Sequence, residues 1–436
     1  MSDSKVSGQG LLNLLIYQEL RKLLRAFPFS WPAVQKHQLE RVKALLQSCY
    51  KSFDFYRKRF DSVGFRPEQM RYIEEMQIIP TLTKEEYRDF TGKLVNADPR
   101  RYTNWYQDGT SGSTGLPLKI YRNRRERAFM LAKYLRALFL NGYRYRDLTF
   151  CLPSPHRLSE SDSILQRFGF LRRICVPYTA KVEQMVDGYL QQPVDLLYAN
   201  RSQLVLMAEY IKKFGIVIVR PRLVCSSGEV MDASSRALIE EVFGEGRLFE
   251  VYGAVEFNNL AFQIIGQEGL HFNHDTNILE LEDENGRINR KAGRCLITDL
   301  HIRSFPLIRY RLDDWIEMEE GNVTPRIKRI VGRSDDWFIL PNGEKKPFHP
   351  VYEIMEKEKA VRRFRFVQQA VDEIDVQLVT DAQINRAAFE RRLLAALNSE
   401  FNHAVRFSFH FFDVLPIDPN SKLRMVVSMI REGRSS

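Results

Sequence analysis

The sequence predicts an α/β protein: a large N-terminal part that closes with a β-rich section, then a small C-terminal α+β unit. Three observations predict it. Residues 147–230 alternate short apolar runs with helical stretches, the rhythm of parallel strands joined by crossover helices. Residues 260–330 change to short strands separated by turn residues, in NILELEDENGR, RCLITDLH and FPLIRYRLDD. From Phe364 the order becomes strand, strand, helix, strand.

The elements follow in chain order. Residues 11–90 read as helical. Leu11, Leu14, Leu15 and Leu20 share a face, and LERVKALLQSCYKSFDFYRKRF and KEEYRDFTGKLV keep helical spacing between the breakers Gly64, Pro67 and Pro80. Phe129, Ala132, Leu135 and Phe139 then mark the buried stripe of a further helix, with Arg125, Arg127, Lys133 and Arg136 off that stripe. Strands are expected in LTFCLP, RRICVPYTA, VDLLYA and RPRLVCSSGEV, with helices over 204–214 and 233–243 and a strand over 247–252. In the tail, FRFVQQAV, IDVQLVT and VRFSFHFF read as strands. A helix over 384–397 turns Phe389, Leu393 and Leu397 one way.

Composition excludes several classes. A chain of 436 residues, 44% hydrophobic and 12% aromatic, is neither disordered nor dependent on disulfides or metals for its core. Its five cysteines (Cys49, Cys151, Cys175, Cys225 and Cys295) are odd in number, scattered and free of any CxxC, so neither a disulfide framework nor a zinc site is expected. This usage points to a reducing cytoplasm. No apolar run reaches the ~18 residues of a membrane span. The net charge of +10 is concentrated: residues 119–173 hold 13 Lys+Arg against 4 Asp+Glu. That block has two readings, a solvated basic helix face or an anion funnel beside a phosphate site. Nucleic acid is not an expected partner, because no helix-turn-helix, zinc-finger or aromatic-interleaved basic motif accompanies the charge.

The chemistry-bearing motifs lie in a fixed order. TSGSTGLP, residues 110–117, has two glycines that let successive N–H groups face one anion, with hydroxyls at Thr110, Ser111, Ser113 and Thr114. No Walker lysine follows. Ser226, Ser227, Gly228 and Glu229 end a buried strand, the place where open α/β sheets bind ligands. VYGAVE, residues 251–256, offers a ring at Tyr252, close approach at Gly253 and a carboxylate at Glu256 suited to a hard cation. RYRLDD brings Asp313 and Asp314, VGRSDD brings Arg333 and Asp335, and PIDPNSKLR brings Lys422.

TSGSTGLP, YGAVEF, RYRLDD, GRSDD and a late SKLR, in this order, resemble the adenylate-forming superfamily, and most closely its phenylacetate–CoA ligase-like branch. FYRKRFDSVGFRPEQ and IPTLTKEEYRD are similar to that branch's N-terminal region. The resemblance implies a fold of layered mixed sheets and helices over residues 1–334 and a mobile α+β domain over residues 335–436. It implies ATP-dependent activation of a carboxylate to an acyl adenylate with release of pyrophosphate, then transfer to a thiol. Coenzyme A is the expected acceptor; a carrier-protein thiol or an amine is the rival, and a non-catalytic nucleotide- or acyl-binding protein is the alternative class. ATP and Mg²⁺ are the expected nucleotide and metal, with no structural zinc, since residues 257–275 contain no Cys. Carried over by position, Thr110, Ser111, Gly112, Ser113, Thr114 and Gly115 would hold phosphates, and Ser227, Gly228 and Glu229 would line the adenine pocket. Tyr252 and Gly253 would wall the adenine and acyl sites. Glu256 would bind Mg²⁺, Asp314 (or its neighbour Asp313) the ribose hydroxyls, and Arg333 the ribose–phosphate region. Asp335 would be the hinge and Lys422 would approach the reacting carboxylate, an aromatic or otherwise apolar acid. His271 and His274 are left out of the catalytic set.

Overall fold

The computed structural model describes residues 2–27, 30–109, 118–153, 166, 168–283, 285–321, 324–333, 337–358, 360–380, 384–412, 415 and 426–430. Its centre is a twelve-stranded mixed sheet. Five strands at one end are parallel, in the spatial order β4 (Arg172–Cys175), β3 (Leu148–Cys151), β5 (Leu196–Ala199), β6 (Leu223–Ser227) and β7 (Leu248–Ala254). Their apolar residues have helices against them, as parallel strands require. Three of these helices are α7 (Val182–Leu190), α8 (Arg201–Phe214) and α9 (Ala233–Phe243). Helix α8 stops at Gly215, whose φ of +60° is the left-handed cap that a glycine adopts freely.

Beyond β7 the sheet turns antiparallel. β8 (Asn258–Phe262), β9 (Leu270–Phe272), β14 (Arg326–Arg333), β13 (Tyr310–Met318), β12 (Ala292–Asp299), β10 (Asn277–Glu282) and β11 (Ile288–Asn289) follow in that spatial order. This is the β-rich section that the turn spacing predicts. The N-terminal helices α1 (Ser2–Arg25), α2 (Trp31–Ser52), α3 (Asp54–Asp61) and α4 (Lys84–Ala97) contribute to the packing. Val42, Leu45, Leu46, Tyr56, Phe60 and Tyr87 join Ile297, Phe305, Tyr310 and Ile316 of the antiparallel section in one core. The tail forms a four-stranded sheet, β19 (Arg406–Phe411), β18 (Glu373–Thr380), β17 (Val361–Ala370) and β20 (Val426–Ser428). Phe389, Leu393 and Leu397 of α11 (Arg386–Glu400) are buried in its core, as their spacing requires. The tail touches the helices over the parallel end of the main sheet, through Arg363 Nη2 to Glu209 Oε1 of α8 at 3.2 Å and Ser234 Oγ of α9 to the Arg362 carbonyl at 2.8 Å.

One expectation is corrected. Helix α6 (Arg124–Leu140) carries the predicted apolar residues, but its basic side is solvated only at its start, where Arg124 and Arg125 are exposed. Lys133 and Arg136 are fully buried. Arg136 forms a fork with the Asp275 carboxylate, at 2.6 and 3.0 Å, and Lys133 donates to the Phe257 carbonyl at 3.1 Å. Burial lowers the Lys133 pKa to about 8. Part of the basic excess is therefore internal structure, spent on ordering the turn and strand beneath α6. Arg122 is buried too and Arg127 half-buried, whereas Lys119, Arg124, Arg125, Arg144, Arg146, Arg172 and Arg173 are exposed.

Candidate functional site

The site is built on three segments that meet beside the β7–β8 turn. The first is a hairpin: β1 (Tyr106–Gly109) pairs antiparallel with β2 (Lys119–Arg122), Gly109 opposite Lys119. Residues 110–117 connect these strands; the predicted phosphate-holding residues Thr110 to Gly115 lie outside the described residues. The base of the hairpin is fixed by Arg122, a buried side chain. Its guanidinium donates to Asp108 Oδ2 at 2.6 Å and to the carbonyls of Val255 and Glu256 at 2.6 and 2.8 Å. Arg127 reaches the same Asp108 oxygen at 2.8 Å. A buried guanidinium needs such partners, because its charge is costly out of water.

The second segment runs from Tyr252 to Glu256. A bulge between Tyr252 and Gly253 re-aims the strand as it leaves β7. Gly253 is required there: a Cβ would lie 1.9 Å from the Asn258 carbonyl oxygen. The third segment is the start of β13. Arg309, just before it, bonds the buried Glu280 carboxylate at 3.0 and 3.2 Å and the Gln77 carbonyl at 2.6 Å, which pins the strand to the N-terminal helical region.

The second and third segments interlock through a reciprocal pair of contacts. Tyr252 Oη donates to Asp314 Oδ2 at 2.7 Å, and Tyr310 Oη donates to Glu256 Oε1 at 2.9 Å. Each segment thus gives one tyrosine and, four residues later, one carboxylate, and each tyrosine serves the other segment's carboxylate. Hydrogen bonds to the ionised form hold both carboxylates in one orientation. Tyr252 remains protonated and a donor, since burial holds its pKa well above the phenol range, with the Asp314 charge adding to the effect. Asp314 is also the backbone partner of Arg333, directly opposite on β14. Of the predicted residues, then, Tyr252, Gly253, Glu256, Asp314 and the backbone of Arg333 come together.

Ser227 and Gly228 lie at the carboxyl end of β6, with Gly228 in the left-handed region at φ +77°. Glu229 turns to α8: its carboxylate accepts from the Ser202 N–H at 2.9 Å and the Ser202 hydroxyl at 2.8 Å, with Arg201 at 3.7 Å. That contact fastens the Ser227–Glu229 turn to the start of α8. Asp335 and Lys422 lie outside the described residues, as does any side-chain placement for Asp313 and Arg333. His271 and His274 have structural partners, Gln267 Oε1 and the Pro325 carbonyl, both at 2.8 Å. Sequence reasoning missed Tyr310 and Arg122. The first had a signal, because Tyr252–Glu256 and Tyr310–Asp314 repeat the same spacing. Arg122 had none, since its carbonyl partners lie 133 and 134 residues away in the chain.

A hard cation suits this site. Mg²⁺ takes one or two carboxylates and completes its shell with water and phosphate oxygens. Glu256, buried and oriented by Tyr310, is such a donor. Among the described residues no group of three or more His, Cys, Asp or Glu is placed to hold a metal, and none is required for that mode.

The chain matches known proteins in three ways. Residues 345–429 match the CapK C-terminal domain family. Over 96% of its length the chain is 22% identical to protein CapK of Staphylococcus aureus, covering 98% of that protein. It is 25% identical to the phenylacetate-coenzyme A ligase of Pseudomonas putida over 71% of this chain and 72% of that one. Among solved structures, 2-hydroxyisobutyryl-CoA ligase in the postadenylation state, in complex with R3-HIB-AMP, aligns with a TM-score of 0.68 at 19% identity, over 90% of this chain and 89% of the other. The resemblance read from the motifs therefore holds: the chain has the fold of the adenylate-forming CoA ligases and is similar in sequence to phenylacetate-coenzyme A ligases and to protein CapK.

Proposed function

We propose that the protein activates a small carboxylic acid with ATP, forming an acyl adenylate and pyrophosphate, and transfers the acyl group to the thiol of coenzyme A. The observation that carries this reading is the reciprocal tyrosine–carboxylate pair, which orients Glu256 and Asp314 beside the hairpin that bears residues 110–117. Nucleotidyl transfer needs positioning and charge neutralisation more than covalent help from the protein. The residues match that demand. The N–H groups and hydroxyls of Thr110, Ser111, Gly112, Ser113, Thr114 and Gly115 receive the β- and γ-phosphates. Asp314, with one oxygen taken by Tyr252, accepts the ribose hydroxyls on the rest of its carboxylate. Ser227, Gly228 and Glu229 form the turn against which the adenine lies, and Tyr252 and Gly253 wall it. Glu256 holds Mg²⁺, which supplies charge neutralisation at the phosphates when bound.

The substrate carboxylate attacks the α-phosphorus, and pyrophosphate leaves. Lys422 stabilises the charge on the reacting oxygens, and Arg333 reaches the ribose–phosphate region. Rotation of the tail (residues 335–436) about Asp335 then exchanges Lys422 for the surface that receives coenzyme A. The thiol attacks the acyl carbon, its proton passes to solvent, and AMP leaves. The apolar stretches FCLP and FNNLAF favour an aromatic or other apolar acid.

The test is product analysis. Purified protein with ATP, Mg²⁺ and a panel of carboxylates releases pyrophosphate with some acids and not with others. Added coenzyme A converts the product to acyl-CoA. Lys422→Ala lowers adenylate formation at least ~10²-fold and spares thioester formation from a preformed adenylate. Equal loss of both half-reactions overturns the role of Lys422, and pyrophosphate release with no acyl-CoA overturns the acceptor.

A further inference from the structure

Two of the five cysteines occupy directly opposed positions on neighbouring parallel strands. Cys151 ends β3 and Cys175 ends β4, and they are register partners. Their sulfurs are 2.8 Å apart. Neighbouring strands lie about 4.8 Å apart, inside the Cα separation that a disulfide spans, usually 4.4–6.8 Å. Closing the present gap to a bond of about 2.05 Å takes a shift of about 0.8 Å. β4 can make that shift, because among the described residues it is the edge strand of the sheet and pairs on one side only. Both cysteines are half-buried, whereas Cys49, Cys225 and Cys295 are buried.

We propose that Cys151 and Cys175 form a reversible dithiol–disulfide pair, a modification site that cross-links the edge strand to β3. The two thiols divide the work. Cys151 has a second acceptor for its S–H, the Ile174 carbonyl at 3.5 Å, and it can donate to Cys175 Sγ. That donation, helped by the positive charge of Arg173, lowers the Cys175 pKa to about 7; Cys151 is held far above the ordinary thiol range by the same contact and by burial. Cys175 is thus the attacking thiolate and Cys151 the resolving thiol.

The oxidant is a low-molecular-weight disulfide, RSSR. Cys175 gives its proton to solvent, and its thiolate attacks one sulfur of RSSR. The S–S bond breaks, a mixed disulfide forms on Cys175, and RS⁻ leaves. This RS⁻ takes the proton of Cys151, whose thiolate attacks Cys175 Sγ and expels the second RS⁻. The second RS⁻ takes a proton from solvent, so one RSSR becomes two RSH and the protein loses two hydrogens. A thiol in excess reverses the sequence. The inference does not depend on the proposed ligase activity.

The test uses the full chain and glutathione disulfide as RSSR. Reduced protein is incubated with mixtures of reduced and oxidised glutathione, quenched in acid, alkylated and mapped by peptide mass spectrometry. The expected product is one cross-linked species joining the Cys151 and Cys175 peptides, with the other three cysteines alkylated after unfolding. It raises the melting temperature and disappears on return to excess reduced glutathione. Cys151→Ser, checked for folding by circular dichroism, accumulates a stable glutathione adduct on Cys175. Recovery of both cysteines as free thiols at every ratio in the wild-type protein overturns the proposal, as does an adduct in Cys151→Ser that maps to another cysteine.

Discussion

At the scale of single residues, the two carboxylates that matter most are each held by one phenol. Tyr310 reaches Glu256 at 2.9 Å and Tyr252 reaches Asp314 at 2.7 Å. A hydrogen bond to a charged group contributes about 1.5–3 kcal/mol. Tyr310→Phe is therefore expected to lower adenylate formation about 10- to 100-fold and to raise the Mg²⁺ concentration needed for half-maximal rate. Steady-state rates across a Mg²⁺ titration check this; a rate loss with an unchanged Mg²⁺ requirement would detach Tyr310 from Glu256. Glu256 and Asp314 were legible in the sequence because each sits inside a motif. Their tyrosines were only half legible. Tyr252 stands in the YGAVE segment, but its partner is 62 positions on, and no local pattern joins residues that far apart.

At the scale of elements, the hairpin β1–β2 and the Tyr252–Glu256 segment are joined by one buried side chain. Arg122 bonds an acid on the hairpin and two carbonyls on the segment, so it sets their spacing. Breaking a buried charge pair by removing one partner costs roughly 3–5 kcal/mol. Arg122→Met is expected to destabilise the fold by about that amount. Arg122→Lys keeps the charge and loses the fork. It should keep most of the stability while raising the KM for ATP more than it lowers kcat. Denaturant unfolding and ATP kinetics on the two variants separate these outcomes, and an unchanged KM in a folded Arg122→Lys would remove the coupling.

Elements were also where sequence reading erred. The apolar spacing placed α6 correctly, yet the same pattern made Lys133 and Arg136 look solvent-facing. Both turn inward because distant groups receive them, Asp275 and Asn273 for Arg136 and the Phe257 carbonyl for Lys133, all more than 120 residues downstream. Helical periodicity records which residues are apolar, not which polar residues have found partners. The parallel strands, by contrast, were legible, since each is a short apolar run between breakers. The β9–β14 pairing was not, since it joins His271 to Arg326 across the antiparallel section.

At the scale of the whole molecule, buried bases make stability rise with pH in two separate windows. Burial lowers His274 and His301 to about 4, against about 6.5 when unfolded. The unfolded chain then binds more protons between those values, so stability is lost as pH falls from 6.5 to 4. Lys133, at about 8 when folded and 10.5 in its ordinary state, acts in the alkaline window with the same sign. Stability rises as pH climbs from about 8 to 10.5, by about 3 kcal/mol for a shift of this size. Urea unfolding of wild type and Lys133→Met at pH 7, 8, 9 and 10 isolates that contribution. The difference between them should shrink or reverse in favour of wild type as pH rises, and a constant difference would contradict a neutralised Lys133.

The central claim is that this molecule adenylates a carboxylate at the site where Glu256 and Asp314 are oriented. ATP–pyrophosphate exchange tests it most directly, because it reads the first half-reaction without any acceptor. With a panel of aromatic and apolar acids, the wild-type chain is expected to exchange label into ATP only when a cognate acid and Mg²⁺ are present. Glu256→Gln should lower that exchange about 10²-fold or more without unfolding the protein. Absence of acid-dependent exchange across the panel, or full exchange in a folded Glu256→Gln, would contradict the account.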